Sequence, residues 1–259
     1  MKAFVIYLPG REHSVNHATG MIETLTSYGL DAKLFEGTPG DRAVALAQRA
    51  KKTLYPYSIK NRVLDAQDVQ NLIRPELYDD FVKRHRFEIV ERQLIGEKDI
   101  GKLSRPGVIG CFYSHYALWQ RCIDLGEPIM IFEDDVKFYR GWHPVEFEGV
   151  LILSLGKSSF MSDPQKTYLE NPSGAPMARR WQNFSMPGAS GYAIKPDAAL
   201  ALTKFYRPYW YPADNAINQF VCPIEISTYI MGRNTLPEEG NVSMTKAKDW
   251  IQNESRDIL

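Results

Sequence analysis

Three consecutive carboxylates, Glu133, Asp134 and Asp135, follow directly on the apolar run Pro128 to Phe132. A Gly126-Glu127-Pro128 turn precedes that run, so it reads as a short buried strand with acids at its carboxyl end. In open α/β sheets, ligands collect beyond the carboxyl ends of such strands. Three like charges crowded there repel one another, and a bound cation relieves them. A divalent metal carrying a phosphorylated substrate is the economical reading, and oxygen ligands suit Mn²⁺ or Mg²⁺. On an extended chain the acidic-x-acidic spacing puts Glu133 and Asp135 on one side, and Asp135 with Glu133 or Asp134 can hold the ion. Asp134 then faces the other way, where a neighbouring carboxylate can hold ligand hydroxyls. The bland alternative is a turn of solvated acids, and phosphatases and nucleases use similar acid groups, so the motif alone does not name a reaction.

The elements that must position these acids are legible around them. Residues 3 to 8 read as a first strand, turned by Pro9-Gly10. Ser14 or Asn16 can cap a helix through about Tyr28, stopped by Gly29, and Asp31 to Phe35 follows as a second strand. This β-α-β opening predicts a parallel sheet with a right-handed crossover, its loops on the same edge as the acids. From Asp41 to Leu103 the texture changes to mixed charge and apolar residues, with helical stretches at Ala43 to Lys51 and Pro75 to His85. This reads as a helical insert, and its Lys83-Arg84-His85-Arg86 run reads as a solvated helix face. A helix over Gly110 to Leu125 leads into the acidic strand, and Leu151 to Leu155 reads as the strand after it. Gly156 to Pro187 has the composition of a long loop. Gly188 to Ile194 reads as a glycine-rich strand, and Pro196 opens a helix through Phe205. The tail from about Thr245 is polar.

Composition narrows the function classes. A chain of 259 residues suits one α/β domain with an insert, residues 1–259 as a single unit. Lys plus Arg equals Asp plus Glu at 31 each, so no basic field draws a nucleic-acid backbone. Cys111, Cys122 and Cys222 cannot form a paired framework, and neither they nor the histidines show metal-ligand spacing for zinc. Reduced thiols fit a cytoplasmic location. Met1 to Leu8 is apolar over too short a distance for a signal peptide, and no stretch approaches the roughly 20 apolar residues of a membrane span. Contact with a membrane surface stays compatible with this. Gly37 and Gly40 form no dinucleotide fingerprint and no phosphate-loop pattern occurs, which disfavours an oxidoreductase or kinase.

The helix before the acids sharpens the reading. Gly110, Cys111, Ser114, His115 and Trp119, followed by Glu133-Asp134-Asp135, resemble glycosyltransferase family 25, the lipopolysaccharide and collagen β-galactosyltransferase group. Weaker echoes are Val5 to Leu8, Phe35 to Gly37, Leu153 to Gly156, Gly188 to Tyr192 with Ala198 to Leu200, and Pro212-Ala213-Asp214. Tyr7 stands where the family usually has Asn, Val108 where it has Glu, and Arg11 matches the early basic position only loosely.

The resemblance implies a nucleotide-diphospho-sugar transferase (GT-A-like) fold with a mainly parallel, Rossmann-like sheet. It implies a metal-dependent transfer of a hexose, galactose or glucose, from a UDP-sugar to a glycan, lipid-linked or protein hydroxyl, with inversion. Glu133 and Asp135 would hold the metal. Tyr7, Arg11, Ser114, His115, Asp134 and Gly191 would border the donor, although a mid-helix histidine is more often a packing or hydrogen-bonding residue. Trp119 reads as core. An inverting transfer needs a base for the acceptor hydroxyl, and Asp214 is the best remaining acid. Asp214 is also placed as a helix N-cap, and Tyr209-Trp210-Tyr211 before it as either a sugar platform or core. The rival readings are an inactive nucleotide-sugar binder and a metal-dependent phosphohydrolase.

Overall fold

A computed structural model describes residues 1–54, 105–155, 174–181, 186, 188–207, 209–219 and 221–234. The chain opens with β1 (Lys2–Tyr7), α1 (Glu12–Ser27), β2 (Asp31–Glu36), α2 (Gly40–Arg49) and β3 (Thr53–Leu54). Next come α3 (Pro106–Leu125), β4 (Ile129–Glu133), β5 (Val136–Phe138), β6 (Val150–Ile152), β7 (Ser154–Leu155) and β8 (Ala178–Arg180). The described part closes with β9 (Gly191–Ile194), α4 (Pro196–Phe205), β10 (Tyr209–Trp210), α5 (Ala213–Ala216), β11 (Ile224–Ser227) and β12 (Gly232–Asn234).

A seven-stranded sheet in the order β2-β1-β4-β9-β6-β11-β8 forms the centre. It is mixed, which corrects the expectation of a mainly parallel sheet. β1 runs parallel to β2 and β4, and β6 parallel to β11, but β9 is antiparallel to β4 and β6, and β8 is antiparallel to β11. Apolar alternation marks a segment as a strand without fixing its direction, and β9 is reached through the long 156–187 stretch, whose sequence carries no directional signal. β8 lies within that stretch, so it is not loop throughout.

β4 is covered on both faces, which is why its sequence is continuously apolar. Ile129 and Ile131 pack in one cluster with Phe112 and Trp119 of α3 and Leu202 of α4. Met130 and Phe132 pack in the other with Ala18, Met21 and Leu25 of α1. Continuing the two-residue alternation, Glu133 emerges on the α3 side and Asp134 on the α1 side.

α3 begins at Pro106, whose missing N–H costs nothing in the first turn, and stops at Gly126 with φ 64°. The α1 start differs from expectation. Its N-cap is Arg11, without a side-chain capping bond, and Ser14 lies inside the helix. The Leu151–Leu155 segment also divides: β6 joins the large sheet and β7 a second, three-stranded sheet ordered β5-β12-β7. α2 realises the first expected helix of the 41–103 segment. Pro75–His85, the Lys83–Arg86 run and the tail from Thr245 lie outside the described residues. Among the described residues, no helix is long and apolar enough to cross a membrane.

Candidate active site at the carboxyl end of β4

The three carboxylates face three different elements. The extended chain ends at Glu133 and a turn carries Asp134 and Asp135, so strand alternation stops there, although the Glu133 charge still acts on Asp135. Glu133 turns to α3, where its Oε1 lies 3.3 Å from both Cys111 Sγ and His115 Nε2. Asp134 turns to α1 and accepts a short bond from Ser14 Oγ, which in turn accepts the Leu8 N–H at 2.8 Å. Ser14 therefore ties the β1–α1 loop to the acidic turn. Asp135 turns to the small sheet, where Asn234 Nδ2 of β12 donates to Oδ2 at 2.7 Å.

A buried relay fixes His115. Trp119 Nε1–H can only donate, and it donates to Tyr192 Oη at 2.8 Å. Tyr192 Oη also lies 2.8 Å from His115 Nδ1, to which it can donate or from which it can accept. Nε2 of the same ring faces Glu133 Oε1. Burial works to raise Glu133. The bond from His115, its charge when protonated and the bond from Cys111 together outweigh burial, leaving Glu133 below its ordinary range. Asp134 is raised, first by burial and then by the Glu133 charge, against the pull of the Ser14 bond. Asp135 is pushed up to about 8 by burial and by the charges of Glu133 and Asp134.

These shifts have a signed consequence for stability. The folded-state value of Asp135 exceeds the ordinary carboxyl value, so its contribution is fully present below the unfolded value and is lost as pH rises through about 8. The thermal midpoint of the cation-free protein is expected to fall between about pH 5 and 8, at no more than ~1.4 kcal/mol per pH unit for one proton. A midpoint flat across that window in differential scanning fluorimetry would refute this.

The other sequence-predicted residues lie around this turn in different roles. Ile6 pairs with Glu133, which puts Tyr7 and the loop to Arg11 at the same sheet edge. Ser114 is 2% exposed and His115 fully buried. Ser114 Oγ donates to the Gly110 carbonyl and accepts the Thr38 N–H, both at 2.8 Å, so its hydroxyl joins α3 to the loop after β2. Gly191 is packed: a Cβ there would lie 2.6 Å from Ser154 Cβ and 2.8 Å from Phe132 Cδ1. Gly191→Ala is expected to cost about 1–3 kcal/mol, read as a lower urea midpoint, because neither neighbour sits on a mobile surface. An unchanged midpoint would show that the strands yield there.

Asp214 lies in the first turn of α5, after the N-cap Pro212, and not at the cap itself. Its Oδ1 accepts the Asn215 N–H at 3.0 Å. Burial raises Asp214, as does the charge of Glu133, while His115 acts the other way. Asp214 in turn raises Cys111. The Glu133 charge acting on Asp214, and that of Asp214 on Cys111, put Asp214 within electrostatic range of the acidic turn despite its distance along the chain. Trp210 and Tyr211 are buried in the main core, which favours the core reading of that aromatic pair; the Tyr209 side chain is outside the described set.

Comparison with known families matches residues 46–217 to glycosyltransferase family 25 (LPS biosynthesis protein), which is more than half of the chain. The chain belongs to glycosyltransferase family 25. The matched stretch contains α3, the acidic turn, β9 and Asp214, and most of the 41–103 segment, while β1, α1 and β2 precede it. No curated protein matches the chain. Family 25 membership points to a glycosyltransferase, with a sugar donor and an acceptor as its partners.

Sequence reasoning gave Ser14 a capping role and Tyr192 a place in a strand, neither of them a role at the acidic turn, and did not name Asn234. Asn234 stands 99 residues from Asp135 and shows no local pattern. Cys111 and His115 were visible at helical i, i+4 spacing, yet the third member of their cluster, Glu133, lies on another element. Cys111, His115 and Glu133 are therefore a cluster that spacing along the chain alone did not show.

Proposed function

We propose that this chain is a metal-dependent hexosyltransferase that moves galactose or glucose from a UDP-sugar to an acceptor hydroxyl with inversion. The observation that carries this reading is the acidic turn after β4, in a chain of a glycosyltransferase family. The donor set fits Mn²⁺ or Mg²⁺: the groups are carboxylate oxygens, and burial and their mutual repulsion oppose ionisation of Asp135, which a cation would relieve. Glu133 and Asp135 would hold the ion. When bound, it supplies neutralisation of the diphosphate leaving group.

The remaining work falls to the chain's own residues. Asp134, anchored through Ser14 to the β1–α1 loop, would orient donor hydroxyls, with Tyr7 and Arg11 on that loop. Ser114, His115 and Gly191 act from behind, holding α3, Glu133 and β9 in place. Asp214 would accept the acceptor's hydroxyl proton as its oxygen bonds to the anomeric carbon. The bonding pair to the diphosphate oxygen leaves with UDP. A carboxylate raised by burial is a stronger base than an ordinary one. Because the family description concerns lipopolysaccharide, a lipid-linked saccharide is the first acceptor to test, ahead of a protein hydroxyl.

Calorimetric titration of UDP, UDP-galactose and UDP-glucose, with and without Mn²⁺, tests the donor assignment without an acceptor. Binding of at least one ligand that requires the ion is expected. Folded protein that binds none of the three sinks the UDP-sugar reading.

A further inference from the structure

A second cluster lies on the α3 side of Glu133. Cys111 and His115 stand one helical turn apart on α3, so their side chains leave the same face. Glu133 meets them from the end of β4, and one ligand atom from each of the three lies within 4.8 Å of the others. Both contacts to the carboxylate use Oε1, and neither uses Oε2. Hydrogen bonding accounts for the individual distances. The combination of thiol, imidazole and carboxylate is the donor set of a tetrahedral zinc-type site with three protein ligands and one open position.

Two further observations point the same way. The far nitrogen of His115 is held by Tyr192 Oη, itself held by Trp119, the outer-shell support that orients metal-binding histidines. Tyr192 Oη can donate to Nδ1 or accept from it, so Nδ1 keeps its partner when Nε2 turns to a metal. Charge also balances: one thiolate and one carboxylate neutralise a divalent ion, as a buried site requires. The Mn²⁺ or Mg²⁺ position at the turn has only oxygen ligands, so the two sites select different ions.

We propose that Cys111 Sγ, His115 Nε2 and Glu133 Oε1 form a second divalent-cation site, selective for a thiophilic ion of the zinc type, beneath the acidic turn. The site needs only these three side chains and holds whether or not the chain transfers a hexose. Loading it detaches the thiol proton, which leaves to solvent as the sulfur–metal bond forms. A zinc-type ion there draws Glu133 toward α3 and competes with the oxygen-ligand site for that carboxylate.

Co²⁺ is the spectroscopic probe, added to full-length, chelator-stripped, reduced protein. A thiolate-to-cobalt charge-transfer band reaching its plateau at one equivalent per chain, and bleached by Zn²⁺, is the expected result. Cys111→Ser should abolish the band, whereas Asp135→Asn, Cys122→Ser and Cys222→Ser should keep it. Zn²⁺ affinity in Cys111→Ser should fall by more than the ~10–100-fold that an outer-shell loss costs. A wild-type protein with no band, or a band that survives in Cys111→Ser, overturns the proposal. If Cys111→Ser does not fold, alkylation of the wild type followed by peptide mass mapping decides. Zn²⁺ should slow modification of Cys111, and equal rates with and without Zn²⁺ overturn the site. Mn²⁺-dependent UDP-sugar binding measured on the same protein keeps the readings apart, since a missing cobalt band with intact donor binding counts against this site alone.

Discussion

Asp135→Asn should abolish metal-dependent binding of a UDP-sugar and lower turnover by at least ~10²–10³-fold, corresponding to several kcal/mol of lost charge stabilisation. The substitution keeps the shape of the side chain, and its amide carbonyl can still accept the bond from Asn234 Nδ2. It removes the negative charge whose burial beside Glu133 and Asp134 pushes Asp135 up to about 8. In the absence of cation at alkaline pH, the variant should therefore melt no lower than wild type. That combination, a stable fold with no cation response, separates loss of a ligand from loss of structure. Calorimetry with Mn²⁺ and the UDP-sugar, paired with a thermal melt, reads both. Donor binding within a few-fold of wild type would move the cation away from Asp135.

Much of this arrangement was legible because it is local. Pro128 to Phe132 announced β4, Gly126 ended α3, and Pro196 opened α4, each through a backbone property of the residue itself, whereas α3 starts at Pro106, one turn before the expected Gly110. The two-residue alternation also sent Glu133 and Asp134 to opposite sides of the sheet. It failed one residue later, where Asp135 leaves the strand in a turn and finds Asn234 on β12. The direction of β9 was not legible, because alternation is the same read forward or backward. Ser14 was misread for a related reason. A serine near a helix start is a good cap, but this one spends its hydroxyl on Asp134 and the Leu8 N–H.

The histidine on α3 acts on the acidic turn from within the core. The hydrogen-bonding reading of it agrees with the structure: His115 is buried, and both ring nitrogens are engaged. Yet its engagement lowers Glu133 while Asp134 and Asp135 rise, so one helix sets apart the first acid from its two neighbours. Sequence could supply the spacing of Cys111 and His115 but not the approach of Glu133, which depends on how β4 packs against α3.

Asp214→Asn should lower kcat by ~10²–10⁴-fold, the usual contribution of a positioned general base, with the UDP-sugar still bound in the presence of Mn²⁺. Asp214 sits on α5, whose carbonyls at Asn215 and Ala216 accept bonds from Asn218 Nδ2 at 3.1 Å. Asn218 Nδ2 also lies 3.1 Å from Tyr206 Oη, which ties this short element to the end of α4. The substitution preserves that support, because an amide oxygen can still accept the Asn215 N–H that Asp214 Oδ1 accepts now. A role confined to the first turn of α5 would therefore leave turnover nearly intact, whereas a base would not. The pH profile gives a second discriminant. Burial and the Glu133 charge raise Asp214, so the acidic limb of kcat should lie above the ordinary carboxyl range in wild type. That limb should disappear in Asp214→Asn, since no proton remains to be lost there. A variant that turns over within a few-fold of wild type, with the limb unchanged, would assign the proton transfer to another group.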